Sequence, residues 1–213
     1  MGNLIKNKSS EEIFKFIYAN KGSSRQQVAE MLNLSLPTVS NCIAALRDEG
    51  FIYPSGASES TGGRKAEIFK CVPSVAFAIG VDITKNHISL ALVDLEFNTI
   101  YTERIRLSFE NTDEYYARIA GEIENVLNEQ NISKDKLAGV GISMPVIFNT
   151  DHQTVFYATV IDVDNSSYDK IRRNIPYECL LFNDADSAGI AERRVSNEDY
   201  DMIYISLSNS VGG

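Results

Sequence analysis

Between Ser35 and Asn41 the sequence reads SLPTVSN, a run of short polar side chains with almost no charge. A helix carrying Ser35, Pro37, Thr38, Ser40 and Asn41 can lie close against nucleobases, because nothing bulky holds it off. The amide of Asn41 can pair with N6 and N7 of adenine, and the hydroxyl of Thr38 can donate or accept. A solvated helix face is the plainer reading, but such faces are usually rich in Glu and Lys. Further on, Arg64 and Lys65 follow two glycines in TGGRK, where their side chains reach a phosphate or a narrow minor groove unobstructed. Two solvated cations on a surface hairpin is the alternative there. A third chemistry is carried by Asn183-Asp184, an adjacent amide and carboxylate. Together they can accept from and donate to vicinal hydroxyls, the pattern a sugar presents. The same pair is equally suited to capping a helix, with Asp184 as the N-cap.

The elements that position these groups follow from periodicity. Residues 10–20 place Ile13, Phe16 and Ile17 at helical spacing, and Lys21-Gly22 ends that helix. A second helix fits Arg25–Leu32, with Val28, Met31 and Leu32 inward, and Asn33-Leu34-Ser35 makes a turn. Ser35 is a good N-cap for a third helix, and Pro37 falls in its first turn, where a missing N–H costs little. On that helix Val39, Ile43 and Leu46 form the buried stripe; Pro37, Asn41 and Ala44 lie opposite, flanked by Thr38, Ser40 and Ala45. The outward face is thus expected to hold no long hydrophobe. Phe51–Tyr53 then reads as a strand, 54–63 as a loop, and Arg64–Cys71 as a returning strand. Three helices and a basic hairpin describe a winged helix-turn-helix over residues 1–72, built to enter a groove of double-stranded DNA.

From Val75 the pattern changes. Residues 75–83, 87–95 and 99–107 read as three strands of an antiparallel meander, followed by an amphipathic helix over 112–130. A buried strand at 137–144 stops at Pro145. A second at 178–184 runs into a helix at 185–194, and a last strand begins at 202–208. A meander followed by strand–helix alternation makes residues 73–213 an α/β segment with a mixed sheet. Asn183-Asp184 then lies at the C-terminal end of a buried strand, where open α/β sheets place ligands.

The net charge of −9 hides an asymmetry: residues 1–70 carry nine Lys/Arg against seven Asp/Glu, and residues 71–213 eleven against twenty-two. A mildly basic head on an acidic body suits a small DNA-binding module carried by a sensor. Cys42, Cys71 and Cys179 are odd in number and far apart, so neither a disulfide framework nor a zinc site is expected, and no cofactor is. No apolar run approaches the ~20 residues that span a bilayer, and the N-terminus lacks a signal-peptide core. A cytoplasmic location and no membrane partner are expected.

The order of parts resembles the ROK family of bacterial sugar-responsive repressors and sugar kinases. The helix pair followed by TGGRK resembles its repressor branch. GVDITKNHISLALVDL (80–95) resembles its first phosphate-loop hairpin, GVGISMP (139–145) the loop leading to its sugar site, NDADSAGIAE (183–192) its sugar-binding motif, and SLSNSVGG (206–213) its second glycine loop. The resemblance implies the first lobe of an actin-like, ribonuclease H-like sugar-kinase domain behind the DNA-binding head. It implies contacts to a sugar or sugar phosphate from Ser143, Pro145, Asn183 and Asp184. In the kinases the counterpart of Asp184 would be the base that deprotonates the sugar hydroxyl.

Departures from the family pattern bear on activity. Where the kinases carry D-x-G-G-T, this chain has Asp82-Ile83-Thr84-Lys85; without glycine the backbone cannot close around a phosphate tail, and Ile83 is expected to obstruct it. Val146 replaces a usual Gly, and Asp186 a common Asn. The second lobe, with its Glu/His segment and Cys-rich zinc site, is missing, so the chain is expected to be a fragment or truncated product. The mechanism implied is a homodimer setting two recognition helices in successive major grooves, about 34 Å apart, with sugar binding changing their separation. A sugar kinase with an accessory DNA-binding head is the enzymatic alternative, and a protein-binding scaffold the other.

Overall fold

The computed structural model describes residues 5, 7–57, 66–150, 153–196, 201–207 and 211–212. The chain divides into two compact units, Met1–Ala76 with Asp94–Glu96, and Phe77–Val93 with Phe97–Gly213.

In the first unit, α1 spans Lys8–Ala19, capped by Asn7, whose side chain accepts from the N–H groups of Ser9 and Ser10. β1 (Ser23–Ser24) leads into α2 (Arg25–Leu32), where Ser24 and Gln27 form a reciprocal capping box. α2 ends at Asn33, in left-handed conformation (φ 54°), and α3 follows over Leu36–Asp48. β2 (Ile52–Ala57) and β3 (Glu67–Cys71) pair antiparallel, and β1 adds to the other side of β3, giving the order β1-β3-β2. β2 therefore extends past the expected Tyr53, through Pro54, which is tolerated because β2 is an edge strand. The expected return strand from Arg64 is described only from Glu67 onward.

Two inward assignments are corrected. Phe14, 2% exposed, joins Ile13 and Ile17 in the core, while Phe16 is only half-buried at its margin. Met31 is 68% exposed, and Ala29 takes the inward place beside Val28. On α3 the expected stripe of Val39, Ile43 and Leu46 is buried, joined by Cys42.

The second unit begins with the meander β4 (Phe77–Ile83), β5 (His87–Asp94) and β6 (Thr99–Arg106), with β5 and β6 antiparallel. α4 (Asp113–Glu129) is capped by Thr112 and buries Tyr115, Tyr116, Ile119, Ile123, Val126 and Leu127. β7 (Leu137–Met144) coincides with the expected strand. A short hairpin, β8 (Val146–Phe148) and β9 (Val155–Ala158), and a helix, α5 (Ser167–Asn174), then precede β10 (Cys179–Asn183). α6 follows over Asp184–Ser196. The expected strand at 202–208 is reduced to β11 (Ser206–Leu207), paired with β12 (Val211–Gly212) apart from the main sheet.

The main sheet has the order β10-β7-β4-β5-β6, with β4, β7 and β10 parallel. Its strands alternate: Phe77, Ile79, Val81 and Ile83, then Ile88, Leu90 and Leu92, then Val140, Ile142 and Met144 point into one core with α4 and α5. That alternation corrects the reading of Ile83. It is fully buried, so it cannot stand in the way of a ligand at the strand end.

Candidate functional site

Each unit carries one candidate site. In the first, α3 is started by Ser35, whose hydroxyl accepts from Thr38 N–H (3.3 Å) and lies 2.7 Å from the Thr38 hydroxyl. Both hydroxyls are therefore engaged in the cap, and Thr38 is less free to read a base than its sequence position suggested. Ser35, Pro37, Thr38 and Asn41 are exposed, and Ser40 is half-buried. Asn41 has no hydrogen-bond partner among the described residues, so its amide is available in full to a ligand. The projection that placed no long hydrophobe outward is corrected by Leu36, which is 53% exposed in the first turn of α3.

Several cations of this unit are already paired. Arg25 bonds Glu67 at 2.9 Å and lies over the Phe69 ring, and Arg47 pairs with Asp48. Arg64 and Lys65, the expected phosphate contacts, lie outside the described residues.

The second site is built by three parallel strands ending together. Asp82, Ser143 and Phe182 share one register across β4, β7 and β10, and Asn183 stands opposite Met144. Ser143 donates its hydroxyl to Asp82 Oδ1 at 2.6 Å, a short bond to a charged acceptor. Asp82 is thus the partner that fixes the Ser143 rotamer, a role its place at a strand end permits but its neighbours in sequence do not announce. Pro145 is half-buried at the junction of β7 and β8.

Asn183, rather than Asp184, caps α6. Its Oδ1 accepts from the N–H groups of Ala185 (2.9 Å) and Asp186 (3.2 Å), while its Nδ2 donates to the Val146 carbonyl at 3.1 Å. With both ends of the amide occupied, Asn183 holds the site together. Asp184 is the first helical residue; its Oδ1 accepts from Ala185 N–H, and its other carboxylate oxygen has no partner among the described residues. A half-buried carboxylate with one open oxygen, at the positive end of a helix, is suited to accept from a hydroxyl.

The turn between β4 and β5 is closed by Thr84. Its N–H and its hydroxyl both donate to the His87 carbonyl, at 2.9 Å each, and the hydroxyl accepts from His87 N–H. A nearby cleft of about 440 Å³ is lined by Lys85, Phe109 and residues 158–162, and none of Ser143, Pro145, Asn183 or Asp184 lines it. Among the described residues no group of three or more His, Cys, Asp or Glu is placed to hold a metal ion, and no helix is long and apolar enough to cross a membrane.

Comparison with known proteins adds to this geometry. A profile described as winged helix-turn-helix DNA-binding matches residues 6–53, and one described as the ROK family matches residues 78–213. The xylose repressor of Bacillus subtilis (strain 168) is 27% identical over 98% of this chain and 55% of its own length. The DNA-binding transcriptional dual regulator NagC of Escherichia coli (strain K12) is 22% identical over 98% of this chain and 52% of its own. Among solved structures, a ROK family transcriptional regulator, a homologue of the E. coli MLC protein, superposes with TM-score 0.63 at 18% identity, covering 86% of this chain and 47% of that one. A ROK family glucokinase from Streptomyces griseus gives TM-score 0.51 at 24% identity, over 64% of this chain and 43% of the kinase. The chain spans about half the length of the curated relatives it matches. With the ROK profile covering well over half of its residues, and the parallel strand ends and capped α6 in place, the chain belongs to the ROK family.

Proposed function

We propose that this chain is a DNA-binding transcriptional repressor of sugar uptake or catabolism genes, whose grip on its operator is set by a sugar or sugar phosphate. Residues 1–72 form the DNA-binding domain and residues 73–213 the sugar-kinase-like part. The observation that carries this reading is the exposed, nearly uncharged face of α3, with the Asn41 amide unpartnered among the described residues, on a winged helix-turn-helix. Asn41 reads base edges, Ser35, Pro37, Thr38 and Ser40 bring the helix close, and Arg64 and Lys65 contact phosphate or the minor groove. Ser143, Pro145, Asn183 and Asp184 form one wall of the effector site, with Asp184 accepting from a sugar hydroxyl and Asn183 holding the wall in shape. The protein works in the cytoplasm as a homodimer on two half-sites.

The relatives named as xylose and N-acetylglucosamine repressors support a sugar as effector. Release requires that the sugar bind the DNA-free state more tightly, a coupling of typically 1–3 kcal/mol. Fluorescence anisotropy with duplex from the chain's own promoter, titrated with xylose, N-acetylglucosamine and their phosphates, tests the reading. Failure to bind any duplex even at low salt, where phosphate contacts are strongest, refutes it.

The open carboxylate oxygen of Asp184 favours a second reading, phosphorylation of the sugar. We argue against it from the β4–β5 turn, where Thr84 rather than glycine N–H groups closes the loop. A coupled assay with ATP and a panel of hexoses and pentoses separates the two; turnover that depends on Asp184 overturns the non-enzymatic reading.

A further inference from the structure

We infer that Leu36 is a specificity-determining residue that reads the C5-methyl group of a thymine in the operator. The inference deepens the DNA-binding reading above and rests on it.

Leu36 is the first residue of α3, directly after the capping Ser35, and more than half of it is exposed at 53%. Recognition helices enter the major groove with their N-terminal residues toward the base edges. Side chains on a helix lean toward its N-terminus, so Leu36 projects past the end of α3. At this end polar readout is reduced: one hydroxyl proton is used in the bond between Ser35 and Thr38, and Pro37 has no N–H. The largest exposed apolar side chain that the first turn of α3 offers a base is Leu36. Among base edges in the major groove, thymine alone offers an aliphatic group, its methyl. A Leu contact distinguishes thymine from cytosine, which carries no methyl there, and leaves hydrogen-bond readout to Asn41, five residues further along α3. An apolar side chain this exposed at the leading end of the helix gains nothing from water and gains from a methyl.

Methyl readout can be isolated chemically, since deoxyuridine differs from thymidine only by that methyl. The full chain is used to select a duplex from a randomised library. Each thymine of that duplex is replaced singly by deoxyuridine, and Kd is measured by anisotropy for the wild type, Leu36→Ala and Leu36→Met. Burial of one methyl is worth about a fourfold change in Kd. One thymine per half-site is expected to show that penalty with the wild type. Leu36→Met keeps the penalty, while Leu36→Ala binds the thymine and deoxyuridine duplexes equally. Because Leu36 is exposed, Leu36→Ala is expected to keep the wild-type thermal transition. The inference is overturned if no thymine shows the penalty, if the penalty survives in Leu36→Ala, or if Leu36→Ala weakens both duplexes alike without removing their difference. Enrichment of no duplex at all sinks the DNA-binding reading itself, a result distinct from any of these.

Discussion

Asn183 offers the sharpest test of how the strand ends of the second unit are held to α6. Asn183→Ala removes the acceptor for the Ala185 and Asp186 N–H groups and the donor to the Val146 carbonyl. Losing an N-cap of this type costs about 1 kcal/mol. Leaving the Val146 carbonyl without its donor costs about 1 kcal/mol more. The sum of about 2 kcal/mol corresponds to a fall of roughly 4–8 °C in the melting transition of a unit this size. Asn183→Asp keeps the acceptor and places a negative charge favourably at the helix N-terminus, but loses the donor. It is expected to fall between wild type and Asn183→Ala. Differential scanning calorimetry, with urea unfolding followed at 222 nm, reads the order directly. An Asn183→Ala variant as stable as wild type but deaf to sugar refutes the argument, and makes Asn183 a ligand contact instead of a brace.

Three further outcomes follow from the second unit and the thiols. The Tyr115 hydroxyl is buried without a partner among the described residues, while its ring stacks edge-on with Phe109 and Tyr116. Tyr115→Phe is expected to stabilise by about 1 kcal/mol, and Tyr116→Phe, which loses a bond to Asn111, to destabilise; equal losses in calorimetry contradict this. The Arg173 guanidinium, with Asn174, holds the Asp113 carboxyl below its ordinary value of 3.8. A depressed carboxylate stabilises above its unfolded pKa and loses that contribution as pH falls through the folded one. Wild type and Asp113→Asn are therefore expected to differ in urea midpoint at pH 6 and to converge only as pH falls below 3.8 and through the folded pKa; a difference that stays constant down to about pH 2 excludes the linkage. Burial pushes the Cys71 thiol up to about 12, helped by Glu96, and the Cys179 thiol up to about 11. Cys42 is buried as well. Native protein is expected to react with no equivalent of a thiol reagent at pH 8, and urea-unfolded protein with three; rapid labelling of the native state refutes it.

Much of the fold was legible because strong periodicity leaves few choices. β7 matches its reading residue for residue, since its alternation with glycines admits one register. Phe16 and Met31 were misplaced for a shared geometric reason. Each lies three residues after a core position, on one flank of the stripe; the core takes the other flank, occupied by Phe14 and Ala29. Three apolar residues at helical spacing fit either flank, and only tertiary packing decides. Leu36 projects onto the same stripe as Val39, Ile43 and Leu46, yet it stands exposed in the first turn of α3. α5 was invisible in SYDKIRRN, which buries only Ser167 and Ile171 and so carries no apolar stripe. Asn183 and Asp184 are chemically equivalent as caps; the length of β10's pairing with β7 settles which one serves. The burial of Ile83, by contrast, was readable from its place in the Phe77–Ile83 alternation.

The small sheet of the head has a consequence for how this protein behaves when crowded. One rim is the two-residue β1, and the other is β2, interrupted by Pro54 and by a register shift before Ala57. An incoming strand from another molecule finds no straight, fully donating border on which to template itself. A second copy of this unit is thereby denied a continuous border for pairing at this sheet.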